Sequence, residues 1–177
     1  MSHQLFLEKK RHYEGPQTYM EEDFEYLDRS SRPEAEKVRS FLNTWIARFP
    51  LAEAKELISR IQSQDRSAFE SATFEIILFS LIRSLGWSAE IHPNTDNESG
   101  KKPDFLVTID EGKYFYLEAV LASEFNEAKM AADKRKNVVL DALSKLECSN
   151  FFLGINAEGD PTTPPSAEVA RQICTVR

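Results

Sequence analysis

Three acidic residues, Glu75, Asp104 and Glu118, stand in surroundings where a carboxylate is expensive unless something neutralises it. Asp104 follows Pro103 and opens the run DFLVTI, and Glu118 interrupts YFYLEAVL fourteen positions later. Both runs are rich in β-branched and aromatic residues and read as strands over 104–109 and 114–121. The link Asp110-Glu111-Gly112 suits a three-residue hairpin loop closed by a left-handed glycine. Such a loop pairs Ile109 with Lys113, and the same register carried outward sets Asp104 opposite Glu118. Two opposed carboxylates repel, and burying them is tolerated mainly where a cation neutralises the pair or water reaches it. Magnesium would do so, because it takes oxygen ligands and keeps several waters; an Asp, a Glu, a backbone carbonyl and bound water make an ordinary coordination set.

The elements that must position these groups are legible on either side. Asp65 or Ser67 can cap a helix that runs to Leu85 and stops at Gly86. At helical spacing Glu75 falls amid Leu78, Phe79 and Ile82, so it projects from the apolar face and could add an outer carboxylate. Trp87–His92 reads as a first strand, 124–146 as a long crossover helix, and FFLGINA over 151–157 as a fourth strand, with a short helical pattern from Ser166. Upstream, residues 1–32 are a polar lead-in with about one helical turn. A helix begins at Pro33 and is ended by Pro50, and Leu51–Ile61 makes a second helix. The expected organisation is an N-terminal helical extension, 1–63, packed on a core with a C-terminal tail, 64–177.

The order helix-strand-strand-strand-helix-strand from about Ser67 to Ala157, together with Pro103-Asp104 and Leu117-Glu118-Ala119-Val120, resembles the PD-(D/E)xK nuclease superfamily. The resemblance covers roughly half the chain. It implies a restriction-endonuclease-like αβββαβ core of the α/β (α+β) class, a mixed sheet flanked by helices. It also implies a metal-dependent nuclease that hydrolyses phosphodiester bonds, in DNA, with magnesium or manganese held by Asp104, Glu118 and the carbonyl of Ala119, and with Glu75 holding a second ion or a water. One element departs from the pattern: the motif lysine, which orients or activates the attacking water, is replaced by Val120. Glu118 and Val120 share a strand face, so the ammonium is missing from the active face itself. Some members of the superfamily carry the lysine elsewhere, which makes Lys102, Lys129 and Lys134 candidates; Lys102, in an extended Lys102-Pro103-Asp104, would lie on the side of Asp104.

Two further readings stand beside this one. In the first, the fold is a catalytically inactive module that binds nucleic acid or a protein partner. In the second, Asp104 is a strand-edge residue, Glu118 faces solvent, and Glu75 pairs with a Lys or Arg of the N-terminal helices. The net charge of -7 argues against an indiscriminate nucleic-acid binder, while Lys134-Arg135-Lys136 is the densest basic run. Cys148 and Cys174 are too few for a zinc cage, and His3, His12 and His92 lack the spacing of a helical metal pair, so no histidine-based site is expected. No stretch approaches the length of a membrane span or a signal-peptide core, which points to a cytoplasmic protein with no membrane partner; a homodimer or a larger protein complex remains open.

Overall fold

Pro33 opens a helix with Glu34 and Glu36 in its first turn, two features that favour a helix start, and in the computed structural model that helix runs Pro33–Ile46. The structure describes residues 4–95, 102–110, 112–121, 127–145, 154, 159 and 161–163. Among these, the elements are α1 (Asp23–Arg29), α2 (Pro33–Ile46), α3 (Leu51–Ile61), α4 (Arg66–Ser84), β1 (Ser88–Ile91), β2 (Phe105–Asp110), β3 (Lys113–Leu117) and α5 (Glu127–Leu143). The architecture is mixed α/β, and the three strands form one antiparallel sheet in the order β1-β2-β3. The lead-in holds more than the expected turn, since α1 spans 7 residues with Leu27 buried. Pro50 does not end α2, which stops at Ile46; it serves instead as the N-cap of α3. The fourth strand expected over 151–157 lies outside the described residues except for Gly154, and the helical pattern from Ser166 lies outside them altogether.

The chain divides into two compact units, one of Met1–Gly15 and Glu22–Ala122 and the other of Pro16–Glu21 and Ser123–Arg177. In the first, α4 is the central helix and packs against α2, α3 and β1. Its start is fixed by Asp65, whose side chain accepts from the Ser67 N–H at 2.9 Å, and beyond its end Gly86 takes φ +80°, a conformation that glycine adopts without a steric penalty. Leu42, Ile46, Leu57, Ile61, Ile76, Phe105 and Val107 are fully buried, so α2, α3, α4 and the middle strand share one core. In the second unit, Asp141 of α5 accepts from the Tyr19 and Met20 N–H groups at 2.6 and 3.0 Å, and Asn137 Nδ2 donates to the Tyr19 carbonyl at 2.8 Å.

The hairpin register corrects the expectation at one end only. Lys113 faces Asp110 rather than Ile109, with an irregularity between Thr108 and Asp110. Beyond it, Thr108 pairs with Tyr114, Val107 with Phe115, Leu106 with Tyr116 and Phe105 with Leu117, which is the expected register. The irregular step stays beside the turn, where an extra residue adds twist without disturbing the ladder beyond.

Ahead of α1, the backbone of Leu5 and Phe6 is held by one side chain. Asn43 Oδ1 accepts from the N–H groups of Leu5 and Phe6, both at 3.0 Å, and its Nδ2 donates to the Phe6 carbonyl at 2.8 Å. Leu5 and Phe6 are buried, so these backbone groups have little access to water if the amide is lost. Asn43→Ala is therefore expected to cost about 2 kcal/mol in urea unfolding and to raise amide exchange at Leu5 and Phe6 before the helices open.

Candidate functional site

The two strand ends bring three sequence positions together. The Ile91 and Phe105 pair ends the β1–β2 ladder, and one step further the His92 N–H donates to the Asp104 carbonyl at 3.0 Å. The Phe105 and Leu117 pair ends the β2–β3 ladder, leaving Asp104 just before β2 and Glu118 just after β3. His92, Asp104 and Glu118 thus form a row across one end of the sheet. Asp104 is held there by its own side chain, whose Oδ2 accepts from the Ala119 N–H at 2.6 Å. Strand β3 is shorter than expected, ending at Leu117, so Glu118 and Val120 lie beyond it; Glu118 is exposed and Val120 is 74% exposed.

Glu75 reaches the same end of the sheet from α4. Only 4% of it is exposed, and Oε2 accepts from Arg60 Nη1 of α3 at 3.0 Å. Arg60 is in turn steadied by Glu56 at 3.2 Å and by Ser71 Oγ at 3.1 Å. The other oxygen, Oε1, is buried and accepts no hydrogen bond among the described residues; it faces His92 Nε2 at 3.8 Å. That same Nε2 lies 3.9 Å from Asp104 Oδ1. Burial pushes the Glu75 carboxyl above its ordinary range against the pull of Arg60 and His92, and nearby Asp104 pushes in the same direction as burial. The guanidinium at Oε2 supplies part of the compensation that a bound cation would otherwise give.

Of the groups singled out in the sequence, Glu75, Asp104, Glu118 and the Ala119 backbone gather at this sheet end. Lys102 is exposed, two residues ahead of Asp104, whereas Lys129 and Lys134 lie on α5 in the other unit. His92 is the residue that sequence reasoning passed over. Its neighbours in space come from β2 and α4, and the segment between β1 and β2 is too long for a turn rule to set its register. It also adopts φ +46°, unusual for a residue with a side chain.

Glu75 thus keeps one buried oxygen without a hydrogen bond among the described residues, within electrostatic reach of the Asp104 carboxylate. Among the described residues, no group of three His, Cys, Asp or Glu side chains is close enough as placed to hold an ion. Of the expected ligand set, the contact present is between Asp104 and the Ala119 N–H, not its carbonyl. No described helix is long and apolar enough to cross a membrane. Compared with protein-family models, with curated proteins and with solved structures, the chain finds no match in any of the three.

Proposed function

We propose that this chain is a metal-dependent nuclease of the PD-(D/E)xK kind, hydrolysing phosphodiester bonds in DNA at the end of the sheet where Asp104 and Glu118 meet. The supporting observation is the β2–β3 register, whose last pair is Phe105 with Leu117, so that Asp104 and Glu118 are the residues that adjoin this end of the ladder, with Glu75 reaching His92 at the same end from the helix that precedes the sheet. A magnesium or manganese ion held there would polarise the phosphate and lower the pKa of a bound water. The chain's own groups do the positioning. The Ala119 N–H fixes one oxygen of Asp104, Glu118 is open to solvent, and exposed Lys102 offers an ammonium to a phosphate oxygen. Within the proposal, α4 and the strands β1, β2 and β3 belong to a restriction-endonuclease-like core.

One observation favours the other reading, a catalytically inactive module of the same fold that binds nucleic acid or a protein partner. Val120 stands exposed where the motif lysine belongs, and a valine neither orients nor deprotonates water. The two readings separate in a cleavage assay on plasmid and single-stranded DNA with magnesium or manganese. The nuclease reading expects cleavage by the native protein and a loss of about a hundredfold or more in Glu118→Ala, whose exposed side chain can be removed without opening the core. Equal cleavage by both proteins counts against the site, and none by either transfers the case to the binding module.

A further inference from the structure

Resting on the proposed nuclease reading, we infer that His92 fills the place left by the motif lysine: its Nε2 orients the attacking water and takes up the proton that the water gives off. Val120 has no group for either task, and Lys129 and Lys134 lie in the other unit. Lys102 stands exposed two residues ahead of Asp104, and Arg60 is held by Glu75, Glu56 and Ser71. His92 Nε2, by contrast, lies 3.9 Å from Asp104 Oδ1 and 3.8 Å from Glu75 Oε1. Both separations are longer than a hydrogen bond, so the nitrogen stands beside the two carboxylates without being tied to either.

The backbone holds the ring where it is. His92 directly follows β1, its N–H donates to the Asp104 carbonyl at 3.0 Å, and its φ is +46°. A residue with a side chain keeps a left-handed conformation only where its surroundings impose it, and such positions concentrate at functional sites. Nε2 and Asp104 Oδ1 are close enough, at 3.9 Å, for one water at ordinary hydrogen-bond lengths of about 2.8 Å to reach both. In the step itself the water oxygen bonds to phosphorus and the bond from phosphorus to the leaving oxygen breaks. The proton of the water passes to Nε2, and the leaving oxygen takes a proton from solvent. The His92 side chain is 35% exposed, so the ring returns its proton to solvent before the next turnover. Imidazole is the side-chain group most often used for such a transfer near neutral pH.

The test uses the full chain with Mg2+ on whichever DNA the native protein cleaves, and compares it with His92→Gly and His92→Asn. Both replacements tolerate the left-handed backbone, but glycine leaves room for a free imidazole whereas asparagine fills it. Single-turnover cleavage should fall about a hundredfold or more in each variant. Imidazole added to the buffer should raise the rate of His92→Gly about tenfold or more and leave His92→Asn and the native protein unchanged; magnesium suits the test because it takes oxygen in preference to nitrogen. Affinity for a fluorescein-labelled oligonucleotide in EDTA should be the same in all three proteins. Native rates in His92→Gly would overturn the inference. So would a loss that imidazole does not restore, which makes His92 a residue that only shapes the sheet end, or a loss matched by weaker oligonucleotide binding. Each of these leaves the nuclease reading standing, whereas no cleavage by the native protein removes that reading and this inference together.

Discussion

Arg60→Ala is expected to destabilise the protein by about 3 kcal/mol at neutral pH, far more than a typical surface ion pair contributes. The guanidinium at 3.0 Å is the hydrogen-bonded cation of a Glu75 side chain that is 5% exposed, and its removal leaves a carboxylate in the core. Arg60 itself is 26% exposed, so water admitted by the truncation holds the loss toward the lower end for a broken buried pair. The pH dependence carries a definite sign. Glu75 has a folded-state pKa raised above its ordinary 4.5, by burial first, so its favourable contribution is present below that value and is lost as pH rises through the folded one. Removing Arg60 deletes the strongest influence holding the pKa down and widens the window upward. The deficit of Arg60→Ala should therefore be small near about pH 5 and full near about pH 8 in urea unfolding. Adding Glu75→Gln should recover most of it. A deficit independent of pH, or unrelieved by the glutamine, would show that Arg60 acts through the packing of its stem and not through charge.

How much of this was legible in the sequence depends on the range over which each rule acts. Local devices read well: Pro33 with its acidic first turn, Asp65 as a cap, and Gly86 and Gly112 as left-handed positions all correspond to structural features, whereas the expected three-residue link does not, since Asp110 pairs with Lys113. Because a short loop constrains both its strands, the register of Phe105 against Leu117 followed from it even though the first pair beside the loop shifted by one. Glu75 could be placed on the buried face of α4 by periodicity, but Arg60 could not be assigned as its partner, because a helix-to-helix ion pair depends on how α3 crosses α4. The general alternative, pairing of Glu75 with a basic residue of the N-terminal helices, is the contact the structure contains, and the same carboxylate still presents Oε1 to His92. His92 was missed for the same reason, since its meeting with Asp104 is set by strand pairing across a segment that no turn rule spans.

Phe79→Ala is expected to cost about 3–5 kcal/mol, the loss typical of an aromatic removed from a core that cannot collapse around the gap. Phe79 is 5% exposed and joins three elements through its ring: Phe49 after α2 at 4.4 Å between centroids, Trp45 of α2 at 6.1 Å and Phe105 of β2 at 6.2 Å. Offset and edge-on contacts of this kind add to the area that the ring buries, so shortening the side chain forfeits both. Phe79→Leu, which keeps much of the volume, should cost only about 1–1.5 kcal/mol, with the slope against urea unchanged in both variants if the unfolded state is unaffected. The comparison also bears on the site. Phe105 is the residue after Asp104, and Phe79 is one turn beyond Glu75 on α4, so the Phe79–Phe105 contact ties the helix carboxylate to the strand carboxylate from the core side. A loss below about 1 kcal/mol in Phe79→Ala would mean that the stack does not set this spacing. The hydrogen bonds of Asp104 to Ala119 and His92 would then be what hold the sheet end in place.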